Sequence, residues 1–160
     1  MIQRATIEDS VSIFKLIEQY ASEDIMIKRA LSDIYDNIQK FYTVKNNIGD
    51  VIGCASLQTC WTGNNGTVIG EIRSMAVSFV NQKQGHGKAL INYIANEARL
   101  LKLSKLFVLT NSQGIFEKYG FVKTSIDGIP GRRIWTDCFN CPKFPPASSA
   151  CNEIPMVLFL

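Results

Sequence analysis

The chain of 160 residues is 46% hydrophobic and 19% charged and carries a net charge of +3. That length is an ordinary single-domain size, able to bury a core without help from disulfides or metals, and the balance excludes a disordered or collagen-like polymer. The charge excess is too small for a nucleic-acid binder, and no apolar run reaches the length of a membrane span.

Residues 2–5 predict a short strand. Thr6 then caps a helix with Glu8 and Asp9 in its first turn, where carboxylates meet the positive helix end. Val11, Phe14, Leu16, Ile17 and Tyr20 recur behind it at helical spacing. After a looser segment, 22–30, Ser32 marks a second helix start, with Ile34, Tyr35, Ile38 and Phe41 as its apolar stripe. Residues 41–45 and 51–58 are β-rich runs joined by a hairpin turn at 46–50, and 61–66 is a further turn rich in Gly and Asn. Residues 68–77 predict a strand whose alternation puts Glu71, Arg73, Met75 and Val77 on one face and Ile72, Ser74 and Ala76 on the other.

A polar glycine-containing loop, 82–87, leads into an amphipathic helix at 88–101 with Leu90, Ile91, Ile94, Ala95 and Ala98 inward. The unbroken apolar run within 105–110 fits a strand covered on both faces. A short helix at 112–119, stopped by Gly120, precedes a strand at 121–124. Residues 127–150, rich in Pro, Gly and Cys, show little periodicity, and 154–160 is a final strand. The order β-α-α-β-β-β-α-β-α-β-β fits an α/β (α+β) fold, a mostly antiparallel sheet with helices on both faces, as one domain over 1–160. Five cysteines, an odd number, point to reduced thiols or a metal site before a disulfide framework. An N-terminal segment without a signal-peptide apolar region is expected of a cytoplasmic protein.

A strand, then Gln82-Lys83-Gln84-Gly85-His86-Gly87, then a helix is an arrangement suited to anions. Glycines let the backbone approach a ligand, the first helical amides point outward, and the helix dipole adds positive potential. Lys83 and Lys88 add charge nearby. A tight strand-to-helix turn is the alternative for the same residues. No Gly-Lys-Ser/Thr is present, which disfavours a nucleoside-triphosphate loop. The spacing resembles the Q/R-x-x-G-x-G/A signature of the Gcn5-related N-acetyltransferase (GNAT) family, with Gln82, Gly85 and Gly87 at the signature positions. Residues 71–77 resemble the family's fourth strand, and 115–121 its aromatic-Glu-Lys-x-Gly-Phe helix end. Within the family the chain resembles the short N-acetylglutamate synthase-like amino-acid N-acetyltransferases of arginine biosynthesis. That likeness rests on 71–77, 106–110, the Cys-containing run 135–145 and the ending 151–158. The chain departs from it by carrying Pro146-Ala147-Ser148-Ser149-Ala150 before its last cysteine.

The resemblance implies transfer of an acetyl group from acetyl-CoA, the cosubstrate, to the amino group of a small amino acid, L-glutamate in that subfamily. It implies that strands four and five, here 71–77 and 105–110, splay apart to admit the pantetheine arm. The pyrophosphate would lie on the backbone of Gln84, Gly85, His86, Gly87, Lys88 and Ala89. Gln82, Met75, Ala76 and Val77 would add cofactor contacts, with the Met75 amide polarising the thioester carbonyl. Asn111 is a further cofactor contact or a turn residue. Glu71 is a candidate catalytic base acting through water, or the salt-bridge partner of Arg73 on the same face. Phe116 stands where the family often has a tyrosine acid and cannot donate a proton. Tyr119, one turn on, is the catalytic candidate in its place, or a packing residue. His86, the one histidine, is expected to contribute its backbone.

Glutamate brings two carboxylates, which require cationic partners. Lys28 and Arg29, where the family builds its acceptor wall, and Arg73 are the substrate-binding candidates, with solvated surface charge as the alternative for the first two. The expected partners are acetyl-CoA and a small amino acid, without nucleic acid or membrane, and a homodimer stays open. The other readings are an acetyltransferase for another small amine or a protein amino group, and a non-catalytic acyl-CoA sensor. Cys138, Cys141 and Cys151 resemble three quarters of a zinc site, with Cys54, Cys60 and Asp137 as further ligand candidates. Free thiols or a disulfide are the alternatives, and the expectation is an irregular cover beside the final strand without metal.

Overall fold

Among the described residues the β-rich runs become seven strands of one sheet, in the order β1-β2-β3-β4-β5-β7-β6. The structure, a computed structural model, describes residues 1–62, 67–145 and 149–160. The strands are β1 Ile2–Arg4, β2 Phe41–Lys45, β3 Val51–Trp61, β4 Val68–Val77, β5 Lys105–Thr110, β6 Val122–Lys123 and β7 Ile154–Phe159. The helices are α1 Ser10–Ser22, α2 Leu31–Asp36, α3 His86–Leu100, α4 Gln113–Glu117 and α5 Gly131–Arg133. This is the expected mixed α/β order. The turn expected at 61–66 falls mostly on residues 63–66, which lie outside the described residues, as do 146–148 of the inserted stretch. Among the described residues, no helix is long and apolar enough to cross a membrane.

Contacts divide the chain into two compact units, 1–57 with 72–94, and 58–71 with 95–160. In the first, β1 and β3 each pair antiparallel with β2. Ile13, Leu16 and Ile17 of α1 pack with Ile34, Ile38, Phe41, Cys54 and Ala76 to form its core. Thr6 starts a 3-10 turn, Ile7–Asp9, that runs into α1, and its amide donates to the Asp9 carboxylate at 3.0 Å. The second helix starts one residue before the expected cap. Ala30 is its N-cap and Ser32 lies inside the first turn. Asp33 fastens that turn instead, accepting from Arg29 Nε at 2.6 Å and Asn37 Nδ2 at 3.0 Å.

The alternation expected along β4 does not hold. Ser74 sits at φ 50, a left-handed conformation that interrupts the two-residue repeat. The hydroxyl of Ser56 donates to the Arg73 carbonyl at 3.2 Å, and the Cys54 thiol faces the Ser74 carbonyl at 3.6 Å. Burial pushes the Cys54 thiol up to about 12, so it serves here as a small apolar side chain.

In the second unit, β5 makes six antiparallel pairs with β7, from Lys105↔Phe159 to Thr110↔Ile154. It meets β4 in parallel register at Gly70↔Leu106 and Glu71↔Phe107. Ile69, Phe107 and Ile129 form a buried cluster. Gly120, at φ 85, ends the α4 turn. The segment expected to be irregular is partly helical. A 3-10 turn, Ile126–Gly128, precedes α5, which widens into a π turn over Ile134–Cys138. The Phe139 amide donates to the Ile134 carbonyl at 2.8 Å, a five-residue step that a 3.6-residue pattern does not register.

The Asp9 carboxylate is buried, which alone would raise its proton affinity. Bonds from Lys45, at 2.7 Å, and from Thr6 outweigh that and hold it below the ordinary 3.8. The folded state therefore binds this proton less readily than the unfolded chain. The stabilisation is complete above pH 3.8 and is lost as the pH falls through the lower folded value. Asp9→Asn should cost on the order of 2 kcal/mol at neutral pH. Urea melts at neutral and strongly acidic pH should show the gap to wild type closing in acid, and a gap of constant size would refute the assignment.

Candidate active site

The glycine loop follows a short 3-10 turn, Phe79–Asn81, after β4. Lys83 at φ 61 and Gly85 at φ 87 turn the chain, and the first helical bond of α3 runs from the Ala89 amide to the Gly85 carbonyl at 3.0 Å. The amides of His86, Gly87 and Lys88 precede that bond and so open at the positive end of a four-turn helix. The glycine spacing predicts such a turned entry into a helix. A Cβ at Gly85 would meet nothing within 4 Å, so its glycine answers to backbone angle rather than space. A Cβ at Gly87 would stand 3.2 Å from the Met75 methyl, so this glycine lets β4 and the loop approach. Gln84 braces the turn through Nε2 to the Val80 carbonyl at 3.3 Å.

Arg29 is a firmly held cation of the same unit. Besides Asp33, its Nη1 donates to the Ser74 hydroxyl at 2.9 Å, and its guanidinium lies over the Phe41 ring at 5.6 Å from the centroid. A guanidinium carries more donors than these partners take up. Lys28 is different: it is 72% exposed and pairs with Glu18 at 3.1 Å, an ordinary surface pair. Arg73 is half-buried on β4. Ser74 and Met75 are consecutive, so one residue meets the Arg29 guanidinium and the next meets the glycine loop.

In the second unit Glu71 is buried, at 1% exposure, and both carboxylate oxygens accept from Arg133 Nε, at 2.8 and 3.1 Å. The sequence offered Arg73, on the same strand, as its salt-bridge partner. Arg133, 62 residues away in a segment without periodicity, offered no local signal. Burial works against the Arg133 charge, but Glu71 and then Asp137, at 3.2 Å from Nη1, outweigh it and raise the guanidinium above its usual value. Cys138 stands 3.9 Å from Arg133 Nη1. Burial pushes its thiol up, and Arg133 opposes that shift. Among the described residues, no group of three or more His, Cys, Asp or Glu side chains is arranged to hold a metal ion. Asn111 lies exposed in the turn after β5, its Oδ1 accepting from Ser112 Oγ at 3.1 Å. Phe116 is buried edge-on against Phe121, with centroids 5.3 Å apart, and Tyr119 is half-buried after α4.

Residues 37–123 match the acetyltransferase (GNAT) domain. An uncharacterised N-acetyltransferase from Chlorobaculum tepidum is 33% identical over 98% of this chain and 94% of its own length. The chain belongs to the GNAT family. An amino-acid acetyltransferase from Mycobacterium tuberculosis is 32% identical over 81% of this chain and 71% of its own. The amino-acid acetyltransferase of Yersinia pestis is 33% identical, but the match spans 28% of that protein. A Mycobacterium tuberculosis protein in complex with CoA gives a TM-score of 0.82 at 26% identity, over 100% of this chain and 99% of that one. The N-acetylglutamate synthase of Neisseria gonorrhoeae, complexed with coenzyme A and N-acetyl-glutamate, gives 0.85 at 28% identity, over 100% of this chain and 35% of that one. This GNAT chain is an N-acetyltransferase with acetyl-CoA as cosubstrate.

The glycine loop and the buried pair can each be tested by substitution. Gly85→Val puts a β-branched side chain at a left-handed φ, a strain of about 1–2 kcal/mol or more, and should weaken CoA binding about tenfold or more. His86→Ala, which keeps the amide, should stay within about twofold of wild type. Calorimetric titration with CoA reads both, and equal losses would remove the loop backbone as the cause. Glu71→Gln takes from the buried Arg133 the carboxylate charge at its Nε, with Asp137 still on Nη1. Its cost should lie near the lower end of the range for a broken buried pair, about 3 kcal/mol. Denaturant melts with kcat measured on the folded fraction check this. Undiminished stability with a collapsed kcat would make Glu71 the proton acceptor rather than a clamp.

Proposed function

We propose that this enzyme acetylates the α-amino group of a small dicarboxylic amino acid, L-glutamate first among candidates, as one acetyltransferase domain spanning 1–160. The observation that carries this reading is the convergence on β4. Consecutive residues Ser74 and Met75 meet a guanidinium suited to a carboxylate and a helix start suited to a pyrophosphate. The relatives named amino-acid acetyltransferase, and the likeness to N-acetylglutamate synthase, support the same substrate class.

The chemistry requires a neutral amine beside a thioester. Its nitrogen attacks the carbonyl carbon, the new C–N bond gives a tetrahedral oxyanion, and collapse breaks the C–S bond. The nitrogen sheds its proton and the departing thiolate gains one. Holding both reactants together removes most of the entropic barrier. The Met75 amide is assigned to the oxyanion, and Ala76, Val77 and Asn111 join the 84–89 backbone in holding the cosubstrate. Arg29 and Arg73 are assigned to the acceptor carboxylates, and Lys28 to the rim. Glu71 is held by Arg133, so the reading gives amine deprotonation to solvent and Glu71 an organising role. Tyr119 is the candidate proton donor to the thiolate, with water as the other source.

Steady-state turnover across a panel of amino acids, polyamines and N-terminal peptides tests the acceptor. Glutamate should be used with a KM in the ordinary range of about 1 μM to 1 mM, and Arg73→Ala should raise that KM more than the KM for acetyl-CoA. Turnover of a polyamine or peptide with glutamate ignored would overturn the proposal.

A further inference from the structure

The sequence places Tyr20 in the apolar stripe of α1, yet its hydroxyl does polar work. It donates to the Val77 carbonyl at the end of β4 and accepts from Gln82 Nε2 at 2.7 Å. The directions are fixed by chemistry. A carbonyl can only accept, so the one hydroxyl proton goes to Val77, and the amide nitrogen of Gln82 then supplies the second bond. The reversed amide would set two acceptors against each other. The Tyr20 ring meanwhile lies 4.9 Å from the Phe79 ring, between those two points. One side chain therefore grips the chain at 77, 79 and 82, the whole run from the strand to the glycine loop.

Immediately beyond that run Lys83 sits at φ 61, a costly conformer for a residue with a side chain, before Gly85 turns at φ 87 without strain. Such conformers persist where their surroundings over-determine them. Gln82 is exposed, so burial does not force its bond to Tyr20. We propose that Tyr20 is a positioning residue for the cosubstrate. Through Gln82 it sets the entry angle of the loop, and hence where the first amides of α3 point. On this account the signature glutamine braces the loop from behind rather than reaching for the ligand. The inference rests on reading 82–89 as the pyrophosphate loop.

The test uses Tyr20→Phe, which keeps the ring and its packing on Phe79, together with Gln82→Ala and the double variant. Each single change should raise the CoA Kd and the acetyl-CoA KM about fivefold, the worth of one net hydrogen bond. The KM for the amine and the kcat at saturating acetyl-CoA should stay at wild-type values. The double variant should be no worse than the weaker-binding single, because both remove the same link. Tyr20→Phe with wild-type CoA affinity, or losses that multiply in the double variant, would overturn the proposal. So would an equal rise in both KM values, the mark of a merely structural role. Gln82→Ala, at an exposed position, keeps the test valid if Tyr20→Phe folds poorly. Wild-type protein that binds no CoA would instead sink the loop reading itself, and the inference with it.

Discussion

A strand that cannot run straight through one residue organises the first unit. Ser74, at φ 50, turns the carbonyls around it away from a regular ladder, and β3 answers with the Ser56 hydroxyl and the Cys54 thiol. The hydroxyl of the same residue accepts from Arg29. Non-glycine residues in this region cost free energy and hold there only when neighbours fix them. Here a hydroxyl, a thiol and a guanidinium do so, on a strand that continues directly to Met75 and its contact with the glycine loop. Consecutive residues of one strand thus meet two different groups, Arg29 at Ser74 and the glycine loop at Met75.

The second unit has its own constraint in the Glu71–Arg133 pair. Two charges taken out of water are a poor source of net stability, yet neither can lose its partner cheaply. Glu71 sits within β4 in register with Phe107, and Arg133 lies where α5 passes into a π turn. The pair thus pins a segment with weak internal periodicity to a definite point on the sheet. Asp137, one helical step along, and Cys138 complete the surroundings of the guanidinium.

Much of this was legible in the sequence. Alternation gave the strands, apolar spacing gave α1 and α3, and the paired glycines gave the turned entry into α3. Signals failed where the deciding partner lay far along the chain. Glu71 invites pairing with Arg73 because both share a strand, and nothing local announces the bond from Arg133, 62 residues on. Tyr20 fits a helical stripe equally well whether its hydroxyl is idle or engaged. The π turn hid itself by departing from the 3.6-residue repeat. Ser74 gave no warning at all, since serine is at home in an alternating strand and its φ is imposed from outside.

An enzyme that handles an activated acyl group also has to keep its own nucleophiles quiet. Cys54 stands against the backbone of β4 at Ser74, and its proton is held up to about 12. At neutral pH this thiol stays protonated, and the thiolate is the form that attacks a thioester. A cysteine beside the strand assigned to the reacting carbonyl thus presents no rival to the amine. Complete burial, which serves packing first, also holds this thiol in its unreactive, protonated form.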